Sequence, residues 1–438
     1  MRLELGSFPV EEVAFGPATR LDGRRLEIDP RALAEAVAAP PFARVDVDLV
    51  RRGESARITQ ISDVVEPRIK VSGLGEIFPG LLGPVGAVGE GRTHRLAGVA
   101  VVVQGEVPWL GQSGLFVPRD NFVDTAGPGA EFTPLSSTHN VVVRITFAES
   151  GFDHEAYQQA VLLAGLKAAR FLAETTRDLD PAEITVRDLG AEPTEQNPSP
   201  ATLPKVLYAY QVQSQGVFMR TYLYGRPQDD LVPTLVHPNE ISDGALVAGG
   251  LGGAAVKITT WLHQNNPLIE GLFARHGRAW RFGGVILHRG HYYQYEDKQR
   301  VAIRLAAVAR MAGADAVIFS LGGGGNNITE VMLAIQACEQ AGIKTVLMTW
   351  EHGGKQGTDY PLPFAVPQAA CIVSTGSMDE PVQLPAMERM VGNTTIRIRP
   401  EVGGESMDVS GALSLRNRYE LFGDSNPVGW QRTGAREL

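Results

Sequence analysis

From about Gly244 onward, short and wholly apolar runs alternate with helical stretches, and few folds accommodate that pattern. Val285-Ile286-Leu287, Ala316–Ser320, residues 345–349 and Cys371-Ile372-Val373-Ser374 read as buried strands. Between them the spacing predicts helices over 297–311 and 329–341, the second closed by Gly342. A strand apolar on both sides needs cover on both faces, which places such strands in a parallel sheet flanked by helices. The expected fold class is α/β, with a C-terminal doubly wound, mostly parallel, Rossmann-like sheet.

The first half has a different texture. Val45-Asp46-Val47-Asp48-Leu49-Val50 alternates as a strand with one solvated face does, and residues 96–103 and 141–147 add further strands. Asp29-Pro30 marks the cap and first position of an early helix, and a long helix is expected over 153–175. Residues 205–224 read as a hairpin turning near Ser214-Gln215-Gly216. These readings divide the chain into a β-rich N-terminal α+β domain over 1–235, the α/β domain over 236–400, and a polar, weakly packed tail over 401–438. The 49 glycines and 28 prolines follow no period, so they signal turns and backbone-lined sites rather than a fibrous chain.

The net charge of −9 argues against a broad nucleic-acid surface, while leaving room for a small anion in one local pocket. Cys338 and Cys371 are far apart and form no CxxC, which excludes a disulfide scaffold and a thiolate zinc site. Cys338 reads as a core residue, and Cys371 as the start of a buried strand. No run reaches the roughly 18 apolar residues a bilayer span needs, and the start of the chain lacks a signal-peptide stretch. No membrane association and a cytoplasmic location are expected.

Gly322-Gly323-Gly324-Gly325-Asn326-Asn327 falls between a buried strand and a helix, where free N–H groups at the helix start suit a carboxylate or phosphate. It reads either as a substrate site or as a tight turn. His263, followed by Gln264 and Asn265, is either an acid/base or substrate hydrogen-bonding residue or a structural cap. His288 and His291 follow one strand, and Glu351 and His352 another; they serve substrate or proton chemistry, bind a divalent metal, or are ordinary loop residues. The metal reading involves His288, His291 and His352. The loops Gly322 to Asn327, His288 to His291 and Glu351 to Gly354 are expected to meet Gly249 to Gly253 and His263 in one pocket beyond the carboxyl ends of the strands.

Several segments, taken in order, resemble one family. Leu3-Glu4-Leu5-Gly6, Arg51 to Arg57, Asp63 to Gly73, Ile77-Phe78-Pro79-Gly80, Gly89 to His94 and Ala126 to Ala130 carry the resemblance in the first half. Asp243-Gly244-Ala245, His263 to Pro267, Gly342 to Leu347 and Ser374-Thr375-Gly376 carry it in the second. Together they resemble the component B proproteins of glycine/sarcosine/betaine reductases. The resemblance implies a small amine or carboxylate substrate, reductive cleavage of a C–N bond, and a separate reductase subunit bearing a cysteine or selenocysteine within an oligomeric complex. It also implies a processing cysteine shortly after Asp243-Gly244-Ala245 that becomes a pyruvoyl group. Here residues 246–255 contain only Leu, Val, Ala and Gly, so no self-cleavage and no pyruvoyl cofactor are expected. Gly250 in this stretch borders the family's reactive centre and is either pocket floor or a loop without function. Arg68 and Arg92 lie in matching segments and either clamp a substrate carboxylate or brace loops. Two other functions stay open: a non-catalytic scaffold subunit, and a metal-assisted lyase or hydrolase using the histidines.

Overall fold

A computed structural model describes residues 1–105, 120–148, 154–190, 203–214, 220–249, 257–323, 325–353, 362–398, 405–423 and 428–429. Gly250 and Gly324, two of the candidate residues, lie outside the described residues.

In the first half, helix α1 (Pro30–Val37) starts at Asp29, whose carboxylate accepts from the N–H groups of Arg31 and Ala32. Helix α2 (His154–Ala173) lies on a four-stranded sheet ordered Phe42–Val50, His139–Phe147, Val99–Gly105, Ile61–Val65. Alternate side chains of these strands point to opposite faces. Val101, Val103, Val141 and Val143 pack with Leu162, Leu166 and Ala169 of α2, whereas Val102 and Val142 pack with Ile58, Val64 and Val123 on the far side. A second four-stranded sheet is ordered Glu183–Asp188, Arg2–Pro9, Gly91–Ala97, Arg68–Ser72.

In the second half come helices α3 (Pro238–Ser242), α4 (Thr260–Gln264), α5 (Pro267–Ala274), α6 (Tyr295–Met311) and α7 (Asn327–Gln340). They surround a six-stranded sheet ordered Thr234–Val236, Arg281–Gly290, Lys205–Gln213, Ala316–Ser320, Lys344–Glu351, Ile372–Ser377. The last five are mutually parallel and the first is antiparallel to its neighbour. Leu207, Ala209, Ile286, Val317 and Phe319 face α6 and α7. Tyr208, Tyr210, Val285 and Leu287 face α4 and α5.

Three placements depart from the sequence reading. Lys205–Gln213 is not half of a hairpin. It runs through the middle of the six-stranded sheet, because Leu207 to Tyr210 are fully buried on both faces and a hairpin would have left one face wet. Thr221–Leu223 pairs instead with Leu246–Ala248. Residues 405–423, expected within a weakly packed tail, carry Val409, Leu421 and Phe422 into a core with Phe122 and Ile396 or against the N-terminal sheet. The buried Arg57 ties this stretch down: it pairs with Asp124 at 2.6 Å and donates to the carbonyls of Val409 and Gly411 at 2.6 and 2.8 Å. The strand opened by Cys371 lies at the sheet edge, so Cys371 is exposed, while Cys338 is buried as expected.

Candidate functional site

Buried cations hold the chain around Asp243. Lys70 pairs with its carboxylate, Thr93 donates its hydroxyl to it, and the N–H of Gly89 donates at 2.8 Å. One residue earlier, Ser242 accepts Arg68 on its carbonyl and Arg187 on its hydroxyl, each at 2.5 Å. Gly244 then turns with φ +86°, and a Cβ there would lie 2.9 Å from the Phe78 ring, so glycine alone fits. The strand Leu246–Ala248 follows, leading to Gly249.

Lys257 is buried, with a polar cluster beside it. Asp63 accepts from the hydroxyl of Thr260 at 2.6 Å and from its N–H at 3.0 Å, and that hydroxyl accepts the N–H of Ala248 at 3.0 Å. Burial raises the Asp63 carboxyl and lowers the Lys257 ammonium, and the proximity of each to the other works against both shifts. Nδ1 of His263 meets the Tyr210 hydroxyl at 2.8 Å, while its Nε2 has no partner among the described residues. Burial, reinforced by the charge of Lys257, pushes His263 down to about 3, so the ring is neutral at neutral pH. Tyr210→Phe should leave Nδ1 unsatisfied in a buried site, costing about 1–3 kcal/mol in urea unfolding. A change below about 0.5 kcal/mol would remove this bond as a determinant of the cluster.

The other candidates lie at the carboxyl ends of the parallel strands or on the opposite face. His288 shares the face of Ile286, toward α6 and α7, whereas His263 lies on the face of Tyr210. Burial holds His288 at about 3. His291 follows with φ +70° and is pushed to about 4 by burial and then by Lys298 and Arg289. Next to it, buried Lys298 pairs with Glu330 at 2.5 Å. At the glycine turn, the Gly322 N–H donates to Gln211 at 3.1 Å, and Gly322 and Gly323 accept Asn327 at 2.6 Å and Trp350 at 2.9 Å. Gly323 has φ +106°, and a Cβ there would collide with the Asn327 and Gln213 amides. Asn327 is buried with Oδ1 unpartnered among the described residues, whereas Asn326 and Gly325 are exposed. Glu351 ends its strand, and the ring of His352 lies 4.5 Å from Trp350 and 3.9 Å from Asp379.

The arrangement therefore separates residues that the sequence grouped. His291, Gly323, Glu351 and His352 follow the carboxyl ends of neighbouring parallel strands; His263 lies with Lys257 on the other face, and Asn265 is bonded to Arg68. Among the described residues no three His, Cys, Asp or Glu side chains gather as a metal site, so His288, His291 and His352 do not form one. Arg68 is consumed internally, by Glu66 at 2.6 Å, Ser242, and Asn265 at 2.8 Å. Arg92 is held by Glu4 at 2.9 and 2.7 Å. Both arginines brace the structure in this state. The sequence reading passed over Asp63, Lys70, Tyr210 and Lys257. Lys257 had a signal: apart from histidine, it is the only charged residue between Asp243 and Glu270.

Comparison with known proteins adds a family. The family model described as glycine/sarcosine/betaine reductase component B subunits matches residues 1–436. The glycine reductase complex component B subunits alpha and beta of Acetoanaerobium sticklandii are 34% identical, over 100% of both chains. The sarcosine reductase complex component B subunit alpha of Peptoclostridium acidaminophilum is 36% identical, over 90% of this chain and 89% of the relative. The betaine reductase complex component B subunit alpha of the same organism is 33% identical, over 100% of both. No solved structure matches the chain. Among the described residues, no helix is long and apolar enough to cross a membrane.

Proposed function

Because the chain belongs to the family of glycine/sarcosine/betaine reductase component B subunits, we propose that it presents a small amine or amino-acid-like substrate to a separate thiol- or selenol-bearing subunit, and that it does so as an uncut polypeptide. In this reading the partner's sulfur or selenium takes the substrate carbon as the C–N (or C–X) bond breaks, and the amine leaves with a proton. The observation that carries the second half is chemical. Pyruvoyl formation needs a hydroxyl or thiol to attack the preceding carbonyl, and residues 244–258 contain none. A pyruvoyl group does not fit these residues.

The chain's own contribution centres on the Asp63, Lys257 and His263 cluster, which lies directly beyond the anchored Asp243-Gly244 turn. A neutral imidazole whose Nε2 has no partner among the described residues can hold or receive a single proton there. A second reading, a docking subunit without chemistry, draws support from the internal bonds of Arg68, Arg92 and Asn265, which leave none of them aimed at a substrate carboxylate.

Mass spectrometry checks the uncut chain directly. The purified protein should give a single mass at the full 47.1 kDa, and an aminooxy reagent should add nothing to it. A fragment beginning within 244–258, or labelling there, would overturn the proposal. Reductase activity should then appear only after the partner subunit is added. His263→Gln should lower kcat in that assay if the subunit is catalytic, and leave it unchanged if it only docks.

A further inference from the structure

The carboxyl end of the strand Arg281–Gly290 opens on a cavity of about 820 Å³ that the reductase reading does not use. Arg289 lies at its base, only 9% exposed. Its Nε donates to the carbonyl of Ser214 at 2.6 Å, its Nη2 to the carbonyl of His291 at 3.3 Å, and its guanidinium sits 4.6 Å over the Tyr292 ring. None of these partners carries a negative charge. Residues 215–219, which continue from Ser214, contain no carboxylate either. Arg304, on the α6 side of the cavity, has no ion pair among the described residues, and Arg300 is taken up by Asp297. The one other acid on the wall, Asp230, makes no ion pair with Arg289 among the described residues.

A guanidinium withdrawn from water is costly unless an anion meets it. Here its orientation is fixed by two backbone carbonyls and an aromatic face, so the site is preorganised for one. Val232, Pro233, Val301, Ile303 and Ala307 give the wall an apolar stretch beside these charges and Gln294. Ile303 is 67% exposed and Tyr293 76%, an uncovered apolar surface of the kind that marks binding sites. The volume is of the order that accommodates a ligand well beyond a few heavy atoms.

We propose that this cavity binds an amphiphilic organic anion, with the anionic group on Arg289 and Arg304 and the apolar body between Val232 and Ile303. The site is separate from the Asp63–Lys257–His263 cluster, so it stands or falls without the reductase reading.

Calorimetric titration of the full chain with octanoate, octyl phosphate and octanamide tests it without any activity assay. Octanoate or octyl phosphate should bind, weakening as salt is raised, and octanamide should bind roughly tenfold more weakly or not at all. The stronger of the two anions identifies the headgroup. Arg289→Met should weaken the anion roughly tenfold and leave the amide unaffected. If Arg289→Met fails to fold, Arg304→Ala, on an exposed helix position, should still weaken the anion several-fold, and Ile303→Asp should abolish it. Equal binding of anion and amide, or no anion binding up to about 10 mM, would falsify the proposal. So would an acidic peptide that binds this groove while both octyl anions fail, since that would make it a protein-docking surface.

Discussion

Asp243→Ala should be among the most damaging single substitutions in this chain, lowering unfolding free energy by about 3–5 kcal/mol. The wild-type carboxylate is fully buried and answers three donors: the Lys70 ammonium, the Thr93 hydroxyl and the Gly89 N–H. Alanine removes the acceptor for all three and leaves the Lys70 charge unpaired in a buried site. Lys70→Met should cost less, because Thr93 and Gly89 continue to serve the carboxylate. The double variant Lys70→Met/Asp243→Asn should recover part of the loss, since no unpaired charge remains and the amide oxygen still accepts. Urea unfolding of the three variants checks this. A loss below about 1 kcal/mol for Asp243→Ala would mean that the anchor does not bear on stability.

That anchor shows what the residues alone reveal. Asp243-Gly244-Ala245 stood out by resemblance, and the glycine is required by its positive φ against Phe78. Lys70 stood out only as one position within the resembling stretch Asp63 to Gly73. Its pairing with Asp243 spans 173 residues, and strand periodicity carries no information at that range. The same limit explains the strand Lys205–Gln213. Its strand character was legible, but the partners on either side, Arg281–Gly290 and Ala316–Ser320, come much later in the chain. Helices α6 and α7 were legible within two residues at each end, because their apolar spacing and termini are local. The histidines illustrate the remaining gap. Spacing placed His288 and His291 together, yet strand alternation and the crossing helices put His263 on the opposite face of the same sheet.

Those histidines also set how the protein responds to acid. His263 and His288 have pKa values of about 3 in the folded chain, against 6.5 for the ordinary side chain, chiefly because burial penalises the imidazolium. The unfolded chain therefore takes up protons at these sites below about pH 6.5, and the folded chain does not until about pH 3. Their contribution to stability is complete above pH 6.5 and is lost as pH falls through that window. At 1.36 kcal/mol per pH unit, each site removes up to roughly 5 kcal/mol by pH 3. His237 and His291, at about 4, act in the same direction. Asp63, Asp124 and Glu330 act oppositely, since burial raises their carboxyls and protonation then favours the folded state. The histidines outweigh them between pH 6.5 and about 5 because burial also lowers His94, His139, His276 and His352, so eight imidazoles that take up protons on unfolding oppose at most three carboxyls. Urea midpoints should fall steadily from pH 7 to pH 5, and His288→Gln should flatten that slope relative to wild type, because glutamine carries no proton to gain. A slope unchanged by that substitution would show that His288 is not held neutral in the folded chain.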